Sequence, residues 1–270
     1  MIVARFGEIF LKSKPVKKRF LTQLANNMRT ALRKEGIKAE VIEKRLRLYI
    51  YPDTEEEKAL RVLKRIFGVV SLSKATEVNP EVNEIKKESE KKIKDWKAGT
   101  FAVKAQRISK KYSFTSKDLE IEVGSLIQKE TGLEVDLSNP DKVLYIEVYR
   151  DKAHVFTDKT RGPGGIPLGV AGTLRSPLKT KEDLAASWMM MKRGCMIKPI
   201  DNEINSQIKR SFEEWDLTDK KTSEPVGTVT GTKNIKELLK DYKKYQKPIY
   251  TPLIGLKEKE IEQLKKRIID

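Results

Sequence analysis

The chain has 270 residues, with 56 Lys+Arg against 39 Asp+Glu and a formal net charge of +17. One Cys and one His exclude an intrachain disulfide, a multi-thiolate zinc site and any two-His metal motif within the chain. No apolar run nears the roughly 18 residues of a membrane span, and Arg5 and Glu8 interrupt a signal-peptide-like opening. A soluble cytoplasmic protein without a metal site is therefore expected. So strong a positive charge points to a polyanionic partner, nucleic acid foremost. Heat adaptation enriches both signs; it accounts for 35% charged residues but not for +17.

Residues 1–72 carry 17 basic and 8 acidic residues, more than half of the excess. They read β-α-β-β-α-β. A strand over 2–5 leads into the basic loop Lys12-Ser13-Lys14-Pro15. Pro15 suits the start of a helix, whose apolar stripe is Phe20, Leu21, Leu24, Met28 and Leu32, with Gly36 as its stop. Strands follow over 39–42 and 46–51. Ala59, Leu60, Leu63 and Ile66 give a shorter helical face, and 69–73 returns as a strand. The order is that of a ferredoxin-like unit.

Residues 73–161 begin a second domain. Val82, Ile85, Ile93 and Trp96 mark a helix ended by Gly99, and 101–105 is a strand. Ser116 is the expected N-cap of a helix carrying Leu119, Val123, Leu126 and Ile127, closed by Gly132. Residues 143–149 and 153–156 form a hairpin turning at Asp151-Lys152. The breaker-dense run from Gly162 to Gly169 reads as a Gly/Pro linker over 162–172.

Residues 173–270 alternate. Helix 185–191, strand 196–200, helix 208–215, strand 226–230, helix 235–242, strand 249–254 and a final helix carrying Ile261, Leu264 and Ile268 are expected. Such alternation favours an α/β, Rossmann-like layer on a parallel sheet. The fold class is thus mixed, α/β and α+β.

Three motifs occur in order: Arg5-Phe6-Gly7-Glu8-Ile9-Phe10-Leu11-Lys12, Gly162-Pro163-Gly164-Gly165-Ile166-Pro167-Leu168-Gly169, and Trp188-Met189-Met190-Met191-Lys192-Arg193-Gly194. Together they resemble the landmarks of the tRNA 4-thiouridine sulfurtransferase family. The resemblance implies a ferredoxin-like domain, a THUMP RNA-binding domain and an ATP-pyrophosphatase domain. It implies tRNA as partner, held at its acceptor end, and a homodimer.

One departure bears on the chemistry. The family's phosphate loop reads Ser-Gly-Gly-(Ile/Phe)-Asp-Ser-Pro, whose glycines open backbone N–H groups toward pyrophosphate. Aligned back from Trp188, this chain has Leu178-Lys179-Thr180-Lys181-Glu182-Asp183-Leu184. Glycine is absent, and Glu182 and Asp183 oppose phosphate. Lys179 and Lys181 offer only flexible point charges. The segment Leu174-Arg175-Ser176-Pro177 reads as a broken strand, because Pro cannot donate in a central strand. The family uses a Cys well beyond this position. Here Cys195 alone is present, at the start of a strand predicted to be buried, and it reads as a small core hydrophobe. His154 reads as sheet packing. Asp201, Glu203 and Asp216 read as solvated carboxylates. The expectation is a degenerate pyrophosphatase domain with no catalytic residue and no cofactor.

The RNA-binding features are better kept. In Arg107-Ile108-Ser109-Lys110-Lys111-Tyr112-Ser113-Phe114-Thr115-Ser116, cations, aromatics and a helix start lie together, suiting phosphates and an unpaired base. The resemblance carries Arg107, Lys110 and Lys111 over as RNA contacts, with Phe114 expected in the core. Lys159 and Arg161 flank the hairpin. Lys12, Lys14, Lys17, Lys18 and Arg19 form the densest basic cluster, a second candidate for phosphate contact. Two alternatives stand beside a tRNA-binding protein that has lost its reaction. One is an active ATP-dependent sulfurtransferase working with a second protein. The other is a scaffold whose basic faces bind an acidic protein.

Overall fold

A computed structural model describes residues 1–44, 47–53, 55–107, 112–200, 205–217, 223–245 and 248–269. The elements run β1 (Ile2–Phe6), a 3-10 turn (Glu8–Leu11), α1 (Lys14–Lys34), β2 (Ala39–Lys44), β3 (Arg47–Pro52), α2 (Glu56–Leu63), β4 (Val69–Lys74), β5 (Thr76–Val78), α3 (Val82–Ile93), β6 (Thr100–Arg107) and α4 (Ser116–Thr131). Then come β7 (Glu134–Val135), β8 (Lys142–Val148), β9 (Ala153–Phe156), β10 (Thr160–Arg161), β11 (Thr173–Ser176), α5 (Lys181–Lys192), β12 (Met196–Pro199), α6 (Ser206–Trp215), β13 (Thr228–Val229), α7 (Ile235–Lys244), β14 (Ile249–Tyr250) and α8 (Glu258–Ile269). Among the described residues no helix is long and apolar enough to cross a membrane. The chain divides into two compact units: residues 1–3 with 73–160, and residues 4–72 with 161–270.

The first sheet has strand order β10-β4-β1-β3-β2, whose last four strands follow the ferredoxin-like pattern. The stripe on α1 is buried as its spacing requires, with Leu24, Met28 and Leu32 each at most 1% exposed. Gly36 follows the helix at φ +69°.

In the 73–160 unit the strand order is β5-β9-β8-β6-β7. β6 and β8 are parallel, and β8 and β9 form the expected antiparallel hairpin, with Val148 opposite Ala153. α3 and α4 supply Ile85, Ile93, Leu119, Val123 and Ile127 to a core closed by alternate residues of β6 and β8. Thr115, not Ser116, caps α4: its side chain accepts from the Asp118 N–H, and the Asp118 carboxylate accepts from the Thr115 N–H. The reciprocal pair satisfies two helix-end donors, which a lone Ser cap would not.

The third sheet is parallel, in the order β12-β11-β13-β14. The expected break at 174–177 does not occur. β11 is central, in register from Thr173↔Met196 to Ser176↔Pro199, and Pro177 falls one residue beyond its end. The Ile200 N–H completes the pairing on the Ser176 carbonyl at 2.9 Å. Pro177 thus ends the strand without interrupting the ladder.

The 162–172 segment is backbone-bonded along its length. Gly164 and Val69 share a 2.8 Å hydrogen bond, and the Ile166 N–H reaches the Lys192 carbonyl at 3.1 Å. A Cβ on Gly165, at φ +76°, would lie 2.1 Å from that same carbonyl oxygen, so glycine is required there. Phe67 packs its ring against Trp188 and Trp215 with centroids 5.4 and 5.5 Å apart. The ferredoxin-like residues from 4 onward and the parallel layer therefore share one core.

Candidate functional site

Open parallel sheets bind ligands beyond the carboxyl ends of their strands, where helix N-termini point. In this layer that place is the turn from β11 into α5. Leu178 takes φ +46°, the sole positive φ on a non-glycine among the described residues, with its side chain fully buried. Thr180 caps α5, accepting from the Asp183 N–H at 3.0 Å. The Asp183 carboxylate then gathers the surrounding donors. One oxygen accepts from the Lys179 and Thr180 N–H groups, both at 3.1 Å, and the other from the Gly231 N–H at 2.8 Å. Asp183 is 7% exposed. A Cβ on Gly231 would sit 2.4 Å from the Glu182 carbonyl carbon, so the 231 backbone reaches the carboxylate only as glycine.

Glu182 turns to α8, where Lys265 donates to it at 2.8 Å. That hydrogen bond holds the Glu182 carboxyl below its usual range, and it raises Lys265, which Glu262 also supports. Lys181 is exposed. Of the five predicted loop residues, Thr180 and Asp183 thus face each other, Lys179 joins through its backbone, Glu182 is paired elsewhere and Lys181 points to solvent. The arrangement is an anion nest filled by the protein's own carboxylate. The pattern Thr180-x-x-Asp183 announces a capping box in sequence; the third donor, 48 residues on, has no sequence signal.

Cys195 and His154, two other candidates for chemistry, are buried. Cys195 is 7% exposed, and burial pushes its thiol above the ordinary value. His154 lies in β9 at 2% exposure, 3.5 Å from Glu77 and against the Tyr149 ring. Asp216, expected as a solvated carboxylate, is instead pushed up to about 6 by burial, opposed by Lys34. Asp201 and Glu203 lie outside the described residues. Among the described residues no group of three or more His, Cys, Asp or Glu can hold a metal ion.

The basic candidates fall into separate places. Lys12, Lys14, Lys18 and Arg19 are exposed and Lys17 half-buried, at or just before the first turns of α1. No acidic residue occupies that first turn. Cations at a helix N-terminus work against its dipole, so the cluster is not there for helix stability. Arg107 donates to the carbonyls of Tyr112 and Phe114, holding the loop that precedes α4. Tyr112 and Phe114 stack, centroids 5.3 Å apart, and both pack partly on the unit's core. Phe114 anchors as expected, and Tyr112 shares that role. Lys110 and Lys111 lie outside the described residues. Lys159 covers the Tyr145 ring at 4.9 Å in the 73–160 unit, whereas Arg161 is exposed in the other.

Two family models match, one after the other along the chain. Residues 1–73 match the ThiI ferredoxin-like domain and residues 79–158 the THUMP domain. A probable tRNA sulfurtransferase of Methanocaldococcus jannaschii is 35% identical, over 93% of this chain and 68% of the relative. One of Methanobrevibacter smithii is 35% identical over 73% of this chain. The chain spans about half the length of that relative and of the Thermococcus kodakarensis one, 52% and 54%. The crystal structure of PH1313 from Pyrococcus horikoshii is similar at TM-score 0.84 and 29% identity, covering 99% of this chain and 98% of that one. A 4-thiouridine synthetase solved with RNA and bound ATP is similar at TM-score 0.77 and 25% identity, covering 99% and 84%. On this identity and coverage, with both N-terminal domain models matched in order, the chain belongs to the tRNA sulfurtransferase family.

Proposed function

We propose that this chain is a cytoplasmic tRNA-binding member of its family that holds the acceptor end of tRNA and does not itself activate it with ATP. The observation that carries the reading is the Asp183 carboxylate, which accepts the N–H groups of Lys179, Thr180 and Gly231. An ATP-pyrophosphatase must hold pyrophosphate while the α-phosphorus is attacked, and backbone donors in a turn supply much of that stabilisation. Here those donors already serve a fixed anion, and a second one would meet its repulsion. The site does not fit pyrophosphate. Burial of Cys195 likewise disfavours a sulfur relay through that thiol. RNA binding would rest on Arg107, Lys110 and Lys111 before α4, on Lys12, Lys14, Lys17, Lys18 and Arg19 at α1, and on Lys159 and Arg161, mostly through phosphates and shape. A homodimer is proposed from the family likeness.

Bound ATP in the similar synthetase favours the second reading, an active sulfurtransferase completed by another protein. Titration calorimetry with Mg-ATP, with and without tRNA, separates the two. No heat in either titration is expected; micromolar binding would establish the second reading. Affinity for tRNA should fall with salt by a log–log slope of about 0.7–0.9 per phosphate engaged. A salt-insensitive interaction, or tRNA bound no better than a random polyanion, would refute the first. Lys110→Glu with Lys111→Glu, set against Lys14→Glu with Lys18→Glu, identifies which basic cluster RNA uses.

A further inference from the structure

A concave basic surface lies on the unit of residues 4–72 and 161–270, apart from every residue assigned above except Arg161. Two adjoining cavities, about 180 and 590 Å³, share Lys64, Arg65 and Glu214 in their walls. Their described lining holds eight cations and three carboxylates. The cations are supplied by α2 and the turn after it (Lys58, Arg61, Lys64, Arg65), by the end of α1 (Lys34), by α6 (Arg210), by α8 (Arg267), and by Arg161.

The surface is built, not incidental. α2 buries Ala59, Leu60 and Leu63, which fixes its opposite, basic face outward. Glu214 pairs with Arg65 at 3.2 Å and lies 3.6 Å from the exposed Arg210, so one carboxylate stands between a cation from each half of the unit. Arg267 lies over the Trp188 ring at 5.3 Å. Of the apolar lining side chains, Trp215 and Ile268 are nearly buried while Val62 and Leu217 are half-buried, so the groove offers an incoming chain some apolar surface beneath its cations. The excess of eight cations over three carboxylates makes charge its leading means of recognition. Lys58 to Arg65 span seven residues, about 10 Å along a helical path, a length over which several phosphates of one strand pass.

We propose that this groove is a second RNA-backbone site, engaging phosphates of the same tRNA through Arg61, Lys64 and Arg65. The proposal rests on the tRNA-binding reading above. Arg61 and Lys64 are exposed, so Arg61→Glu with Lys64→Glu should leave the melting midpoint unchanged; Arg61→Gln with Lys64→Gln replaces it if the midpoint falls. The experiment measures tRNA binding by parent and variant across a salt series, with polyglutamate as a second probe. Expected are an affinity loss of about tenfold and a log–log salt slope shallower by about 1.4, two contacts at about 0.7 each. If the parent binds tRNA and the variant binds it equally, the groove proposal fails and the tRNA reading stands. If the parent does not bind tRNA, both fail. A variant that loses polyglutamate but keeps tRNA would show the groove to be a site for an acidic protein, which overturns the proposal.

Discussion

The Asp183 carboxylate and the Gly231 N–H meet at 2.8 Å across 48 residues of chain, joining the start of α5 to the loop after β13. Removing the carboxylate leaves three part-buried backbone donors without their acceptor. Asp183→Ala should cost about 1–3 kcal/mol, from an unsatisfied buried donor and a lost helix cap. Urea unfolding at neutral pH reads the loss directly; an unchanged midpoint would mean that solvent reaches the turn.

Gly231→Ala tests the same contact from the other side. The new methyl would press on the backbone of Glu182 and Asp183 at 2.4 and 2.5 Å. Backbone cannot swing away as a side chain can, so overpacking of about 1–3 kcal/mol is expected. Alanine at the half-buried Gly124, where nothing lies within 4 Å of the added methyl and which is inside α4, should instead stabilise, by up to about 1 kcal/mol.

Asp216 predicts a pH dependence. Its folded carboxyl stands at about 6 against an ordinary 3.8, so between those values the folded chain keeps a proton the unfolded chain has lost. The stability this contributes is complete below 3.8 and fades as pH rises through about 6. Asp216→Asn should therefore be more stable than the parent at pH 8, by on the order of 2 kcal/mol, and should show no gain at pH 4. Denaturant midpoints at the two pH values check the sign.

Cys195 should resist alkylation. Burial both shields the sulfur and raises its thiol, and only the thiolate attacks. A maleimide reporter at pH 7.5 should label the folded protein far more slowly than the urea-unfolded chain.

Phe67→Ala should cost about 3–5 kcal/mol, because its ring lies between Trp188 and Trp215. Residues 4–72 and 161–270 share that cluster, so amide protection in both stretches should fall together in the variant.

Where local periodicity carries the information, the sequence is readable. The β-α-β-β-α-β order, the hairpin at Asp151-Lys152 and the stripe of α1 all follow from spacing within a few residues. Pro177 misleads because a proline says where a ladder stops, not whether the stop falls inside the strand or just after it. Ser116 misleads because Thr115, one residue earlier, has a reciprocal partner in Asp118. The partial burial of Asp216 cannot be read from the sequence, because helix α6 ends one residue before it and its cover comes from elsewhere in the fold. The basic groove is illegible for a related reason. Lys34, Arg61, Arg161, Arg210 and Arg267 lie in five distant segments, and only tertiary packing gathers them, whereas Lys12 to Arg19 is conspicuous by adjacency.

The shared aromatic cluster also sets an order of events during synthesis. Phe67 leaves the ribosome early, but Trp188 and Trp215, which bury it, follow only after the whole 73–160 unit has been made. At ordinary elongation rates that interval is on the order of 10 s. For that time a large aromatic ring has no final neighbour, while the intervening unit, whose residues after the first three are contiguous, is free to fold. Phe67 therefore stays open to chaperones and proteases through that interval, and the ferredoxin-like segment, though first made, completes its packing only once α6 has followed.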